Sequence, residues 1–438
     1  MFENIIAQPV TGQLKADGLS RRLAPSMLFF GPSMSGKGST ALELARFFSC
    51  GEGTAQWNCG CASCVRHRSL LHPDLAMIGP RSFAAEIAAS RAAFLRDPQS
   101  APGRSLFIRS LRKLLARFSP AVWEYESKSG RSNPLSLLQS LEEELNELES
   151  QSAGSSAETL SASLAKNAWK LEDECVSETI PIAQIRRAAW WSRLSPSGKH
   201  KTLIIENAGK MKDEARNSLL KLLEEPPESI SIILTAQRRE SLLPTILSRL
   251  RPYRFVARNG EQEREIIRRI FRDPNVPVEK NDTRLVAAYI DSFMPQPPDK
   301  LLSLAALFAA SVSRSAAAGA KSRGAVISSA VSAVGGYCAP IADAAGFERL
   351  SDARQTIAAM LSNSGNFEGR SFPRFLALTL DLVSKSFEQQ GSDSTIIACR
   401  DVWKKRLAEA QAANGVWNQK PELALESLFY RLKEDLSA

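Results

Sequence analysis

The sequence lacks a long apolar run. Its longest, Leu301 to Val312, is interrupted by serines and falls short of the about 20 residues that a bilayer-spanning helix needs. The opening Met1-Phe2-Glu3-Asn4 lacks the basic-then-apolar pattern of a secretory leader. These two absences predict a cytoplasmic protein that crosses no membrane. A strong excess of one charge is also missing. Lys+Arg number 56 against 47 Asp+Glu, a net +9 over 438 residues. That balance is compatible with work beside a polyanion, but charge scattered over solvated faces accounts for it more simply. A hydrophobic content of 44% and a charged content of 24% are those of an ordinary globular chain, long enough for about three domains.

Cysteine is sparse outside one stretch. Cys175, Cys338 and Cys399 stand alone and read as inert thiols. The other four, Cys50, Cys59, Cys61 and Cys64, follow the pattern Cys-x8-Cys-x-Cys-x2-Cys, with Gly51, Gly53 and Gly60 for turns. Four thiolates this close suit a tetrahedral structural Zn2+ site. Disulfides are disfavoured in a reducing compartment, and loose thiols are the weaker alternative. The Cys59-Gly60-Cys61 gap is tighter than usual. It leaves open that one of these two does not ligate and that His67 or His72 substitutes.

A missing hydroxyl marks the most informative stretch. Met27-Leu28-Phe29-Phe30 reads as a strand, and Ala41 to Phe48 as an amphipathic helix. Between them lies Gly31-Pro32-Ser33-Met34-Ser35-Gly36-Lys37, the spacing of a phosphate-binding loop. Glycines let backbone N–H groups turn toward a phosphate, and the helix start adds a positive dipole end. Lys37 is placed to reach the outer phosphates. The next position should carry the Ser or Thr whose hydroxyl holds Mg2+, and here it is Gly38. Ser39 comes one residue late, about 100° further round the helix. A second strand, Thr202 to Glu206, ends on a carboxylate where Mg2+ needs one. Glu206 stands in place of the expected aspartate. Asn207 stands in place of the water-orienting glutamate, and an amide takes no proton from water. Three defects in one site predict that ATP binding is weak or absent and hydrolysis very slow or absent.

Strands and helices alternate around this motif. His72 to Ile78 reads as a loop and a short strand, and Ile230 to Thr235 and Tyr253 to Val256 read as further strands. Helices are expected over 182–193, Met211 to Glu225 and a short Leu242 to Leu250. That alternation indicates a parallel α/β sheet. Residues 80–178 depart from it and read as a mostly helical insertion. Over 104–118, Arg109, Arg112, Lys113 and Arg117 make a basic face that either pairs with acidic helices or stays solvated, with DNA contact the less favoured reading. After Asn259 the chain reads as all helical. Ser311 to Gly336 is rich in Ala, Ser and Gly, and is either small-residue helix or a joint. Arg249, in Thr245-Ile246-Leu247-Ser248-Arg249, is by position alone a surface or capping arginine. A planar guanidinium there also suits an arginine finger for a neighbour's phosphate.

Taken together, the phosphate loop, the cysteine insert behind its helix, His72-Pro73-Asp74, Ile204 to Met211, Asn217 to Pro227 and Leu243 to Arg249 resemble the clamp-loader subunits of bacterial DNA polymerase III, an AAA+ assembly. The resemblance covers about residues 2–78 and 180–257 and is most specific over Asn217 to Pro227 with Ser248-Arg249. It implies an α/β AAA+ P-loop domain over 1–257, with a zinc module at about 50–64 and the insertion at about 80–178. An all-α lid over 258–310, an Ala/Ser-rich joint over 311–338 and an all-α C-terminal domain over 339–438 would follow. The degenerate site is similar to that of delta-prime subunits. By that resemblance the chain is a non-hydrolysing stator within the polymerase holoenzyme. Arg249 acts in trans on a neighbour's ATP, and Thr235 takes the sensor position. The implied partners are gamma/tau and delta subunits, the sliding clamp and primer-template DNA. The alternatives are an active gamma/tau-like motor, or a zinc-containing DNA-binding protein with a vestigial nucleotide fold. Three features depart from the family pattern: Leu250 stands where a cysteine follows Ser-Arg, one residue is missing between Gly60 and Cys61, and the insertion is not general.

Overall fold

Five short segments form one parallel sheet in a computed structural model of the chain. They are β1 (Ser26–Phe30), β2 (Leu75–Ile78), β3 (Lys201–Ile205), β4 (Ile230–Ala236) and β5 (Arg251–Arg254), in the order β2-β3-β4-β1-β5. The structure describes all residues except 124–133, 151–156, 178, 276–284, 295–298, 323–328, 348–349, 351, 365–370, 389–393, 416–418 and 438. Every residue of β3 and β4 is buried, as expected of parallel strands covered on both faces. β5 is an edge, so it tolerates Pro252 and buries only Tyr253.

Around the sheet, in chain order, run α1 (Val10–Leu19), α2 (Lys37–Ser49), α3 (Ala62–Arg68), α4 (Ala84–Arg96), α5 (Ala101–Leu115), α6 (Leu135–Ser150), α7 (Ala157–Cys175), α8 (Ile182–Arg193), α9 (Asp213–Glu224), α10 (Pro244–Leu247), α11 (Gly260–Ile270) and α12 (Leu285–Asp291). Leu14, Leu42 and Leu44 of α1 and α2 close one face over Met27, Phe29, Ile204 and Ile233. Ile185, Leu219 and Leu222 of α8 and α9 close the other over Leu28, Leu203 and Leu234. The expected α/β architecture is therefore present, with the phosphate loop at the carboxyl end of β1.

The segment between β2 and α8 is helical, with its own core of Phe94, Phe107, Leu111, Leu145, Leu164 and Leu171. Glu172 of α7 caps α4, accepting from the Phe83 and Ala84 N–H groups at 3.0 and 2.7 Å. α4 was not expected from the sequence, whose apolar pattern there is dominated by alanine. The basic face of α5 is not solvated. Arg112 pairs with Glu149 of α6, and Lys113 with Glu86 of α4. Arg109 donates to the Arg68 carbonyl. α11 and α12 pack on α4 through Ile267, Tyr289 and Ala89.

The chain divides into two units, Met1–Met294 and Pro295–Ala438. The second contains α13 (Asp299–Ser322), α14 (Ser329–Ala344), α15 (Ala353–Ser364), α16 (Ser371–Lys385), α17 (Ser394–Gly415) and α18 (Pro421–Ser437). The range anticipated for the lid, 258–310, falls partly in each unit, because the division lies between Met294 and Pro295, and α13 runs unbroken past residue 310. Most of the Ala/Ser-rich stretch is helix, in α13 and α14, and residues 323–328 lie outside the described residues. α13 also corrects the sequence-based length. Leu301–Lys321 is long and apolar enough to cross a membrane by length and composition, yet 72% of its apolar stretch is buried within the fold. Phe308 of α13 meets Phe375 and Phe429 edge-on at 5.6 and 5.8 Å, and its alanines admit the neighbouring helices.

Gly79, just after β2, has φ +105°, and a Cβ built on it falls 2.0 Å from the Glu206 carbonyl oxygen. Both the backbone conformation and the space demand glycine. Gly79→Ala is expected to cost about 3 kcal/mol or more. The urea midpoint of the full chain measures it, and an unchanged midpoint would mean that the β2–β3 junction has room that this geometry denies.

Candidate functional site

The phosphate loop is folded on itself. Lys37 is buried at the start of α2, and its ammonium donates to the Gly31 carbonyl at 2.7 Å, to the Pro32 carbonyl and to Ser35 Oγ at 3.2 Å. Burial lowers its pKa to about 8, with Glu206 working against that shift and Arg258 with it. A Cβ on Gly31 would sit 2.3 Å from the Phe255 carbonyl oxygen, so β1 and the end of β5 pin the loop from one side. Arg258 pins the other. Its guanidinium donates to the carbonyls of Met34 at 2.7 Å, Ser35 at 3.0 Å and Ile6 at 2.9 Å. Four loop carbonyls thus bind this chain's own cations.

The place where Mg2+ would sit is filled. Glu206 follows β3, is buried, and accepts from Arg81 at 3.0 Å and from Arg117. Burial alone would raise the pKa of its carboxyl. Arg81, Arg117 and Lys113 outweigh that and hold it below the usual carboxylate range. Arg81 also pairs with Glu86, whose other oxygen takes Lys113. A Cβ on Gly38 would lie 2.7 Å from Glu206 Oε1 and 3.4 Å from an Arg81 nitrogen, so a serine or threonine there would collide with this pair. Ser39 is exposed. Asn207 adopts φ +50°, a conformation asparagine tolerates, and its amide donates to the Pro80 carbonyl at 2.7 Å. Thr235 Oγ1 accepts from the Asn207 N–H at 3.1 Å. A magnesium nucleotide does not fit these residues. The carboxylate is already neutralised by two guanidinium groups, and the position of the missing hydroxyl is closed.

The cysteine cluster is the opposite case. The Sγ atoms of Cys50, Cys59, Cys61 and Cys64 all lie within 4.8 Å of one another, with Cys50 and Cys59 3.9 Å apart. Tetrahedral zinc–thiolate bonds place sulfurs about 3.8 Å apart, so the four fit such an ion. Backbone N–H groups of Gly51 and Cys64 each donate to Cys61 Sγ at 3.4 Å. Burial opposes ionisation of Cys61, but these N–H groups and the neighbouring thiols bring it down to about 6. The tight Cys59–Cys61 gap excludes neither residue. His67 and His72 stand apart from the cluster and stack on each other at 4.1 Å. His72 bonds Ser63 Oγ at 2.9 Å and accepts from the Asp74 N–H at 3.1 Å.

Arg249 is exposed just after α10. Its guanidinium donates to the Thr245 carbonyl and to Glu224 Oε1, each at 2.7 Å. None of its hydrogen-bond partners belongs to the phosphate loop.

A family model described as DNA polymerase III, delta subunit, matches residues 7–128 and 135–259, more than half of the chain. The chain belongs to that family. Among solved structures it is similar to a DNA polymerase III gamma-subunit-related protein from Thermotoga maritima, with 20% identity over 64% of this chain and 90% of that one and a TM-score of 0.29. No curated protein matches the chain.

In this member of the delta-subunit family, four arginines to which sequence reasoning gave no role at these sites organise them. Arg81 and Arg117 occupy the carboxylate, and Arg258 holds the loop. Fully buried Arg46 pairs with Glu43 at 2.7 Å, donates to the carbonyls of Ala55 and Gln56, and meets Cys64 Sγ at 3.6 Å. Arg46 was legible as a basic residue on an apolar helix face. Arg117 was read only as part of a basic face, and Arg81 and Arg258 carried no local signal. Asp74 of His72-Pro73-Asp74 is structural, accepting from the N–H groups of Ser197 at 2.8 Å and Gly198 at 2.7 Å.

Proposed function

We propose that this chain is a non-hydrolysing, delta-prime-type subunit of the polymerase III clamp loader. It works in the cytoplasm with gamma/tau and delta subunits to place the sliding clamp on primer-template DNA. The observation that carries the stator reading is the capture of Glu206 by Arg81 and Arg117 beside a glycine at position 38. Hydrolysis needs a metal held between carboxylate and hydroxyl and a group that orients water. This chain offers a neutralised carboxylate, no hydroxyl, and an amide bonded to Pro80. What remains for catalysis is Arg249, exposed and presented outward to a neighbour. The four cysteines hold a structural Zn2+ that ties α2 to α3.

The gamma/tau-like motor alternative requires turnover by this chain itself. The purified full chain is expected to hydrolyse no ATP above background. A loader reconstituted with Lys37→Ala is expected to retain its DNA- and clamp-stimulated ATPase within about twofold, since Lys37 serves its own loop. Steady magnesium-dependent turnover by the wild-type chain, abolished in Lys37→Ala, would replace the stator reading with the motor. Tight, steeply salt-dependent DNA binding by the lone chain would favour the third reading, a DNA-binding protein on a vestigial fold.

A further inference from the structure

The helical segment between β2 and α8 touches the vestigial site and α11–α12 at once. At one end, Arg81 and Arg117 grip Glu206 where a divalent cation would bridge the sheet to a phosphate. At the other, Arg96 at the end of α4 pairs with Asp273 at 2.9 Å and donates to the Phe271 carbonyl at 2.6 Å and to Tyr289 Oη at 3.0 Å. Tyr289 in turn donates to Asp273 at 2.8 Å. Ala89 on the same helix is buried against Ile267 and Phe271. α4 is a rigid rod between these ends, capped by Glu172 and packed along its length on α5 and α7. The phosphate loop is joined to the start of α11 independently, through Arg258.

The geometry points to a built-in strut. We infer that this segment substitutes for the metal and nucleotide, with Arg81 and Arg117 as the resident cations. It would hold α11–α12 in one fixed position against the sheet whatever the nucleotide concentration. The charges support this. A carboxylate prepared for Mg2+ leaves a vacancy for a positive ion, whereas here two guanidinium groups neutralise it. Removing Glu206 therefore strands the enclosed Arg117 in a region of low dielectric, while Arg81 keeps its pair with Glu86. The inference deepens the stator reading and rests on it. It gives a role to a segment that the resemblance left without one.

Hydrogen exchange and thermal melting of the full-length chain test it, with and without ATP or ADP and Mg2+ or Mn2+. The wild type is expected to show no nucleotide- or metal-dependent change. Glu206→Gln is expected to lower the melting temperature and to speed exchange together in residues 31–38, 81–96, 113–118 and 260–270. Arg96→Ala is expected to loosen 260–270 and 285–291 while leaving 31–38 protected. Should Glu206→Gln not fold, Arg81→Gln, whose side chain is partly exposed, is expected to give the same joint loosening in milder form. A metal-dependent rise in wild-type melting temperature would overturn the strut. So would Glu206→Gln or Arg81→Gln effects confined to residues beside the substitution. Neither result bears on Arg249, whose test in the assembled loader stands or fails separately.

Discussion

Arg249→Ala in a reconstituted loader is expected to slow hydrolysis at the neighbouring ATP site by about 10³-fold, the lower end of what an arginine finger contributes. Pre-steady-state ATPase with DNA and clamp present measures it. The effect should be large because the guanidinium supplies a forked positive charge where the transferring phosphoryl group gathers negative charge, in a site closed to water. The cost to this chain should be small. Arg249 and Glu224 form an exposed pair, side chains 33% and 48% accessible, and such pairs contribute about 0–1 kcal/mol. The melting temperature should therefore hold while the ATPase falls. Arg249→Lys should recover little, since an ammonium keeps the charge and loses the fork. Glu224→Gln should leave assembly intact, because it only frees the arginine. An unchanged ATPase in Arg249→Ala loaders, with assembly verified, would remove the finger role.

The second large effect concerns the cysteine cluster. The purified chain is expected to carry one zinc per molecule by elemental mass spectrometry. Stripping it with a strong chelator should cost several kcal/mol in the stability of residues 1–294, because structural zinc binding, with apparent values of about 10–16 kcal/mol in small zinc peptides at pH 7, contributes directly to folding free energy. Cys64→Ser should reproduce the loss most fully. Cys64 is completely buried, and its sulfur faces Arg46, which also holds the carbonyls of Ala55 and Gln56. Losing the metal therefore frees both the cysteine loop and the arginine that orders it. Cys59→Ser should cost less, as Cys59 is partly exposed. Full stability of a chain shown to be zinc-free would leave the four thiols without a structural ion.

Much of this was readable in the residues. Apolar runs flanked by turns located β1, β3 and β4 to within a residue or two and placed β2 within the segment 72–78, because a strand buried on both faces can use little else. α8 and α9 lay where helices were expected, over 182–193 and Met211 to Glu225, and the glycine spacing placed the loop between β1 and α2. The defects at Gly38, Glu206 and Asn207 were visible because each position has a fixed chemical duty in the motif. β5 sat two residues early, at Arg251–Arg254. An edge strand buries one face at most, and its apolar signal is weak. α4 was missed because alanine carries little periodic contrast, and α13 crossed an expected boundary because its small residues are core rather than joint.

The sequence by itself determined the class of fold, the clustering of four cysteines and the departures at Gly38, Glu206 and Asn207 from the phosphate-loop pattern. Each rests on local spacing or on a residue type incapable of the task. Only the tertiary structure decided why the vestigial site is closed. Arg81 and Glu206 are 125 positions apart, and Arg117 and Glu206 are 89 apart. Nothing along the chain marks those arginines as different from the other basic residues around them. Their meaning comes from the helical segment folding back on the sheet, where low dielectric turns ordinary charges into the partners of a buried carboxylate.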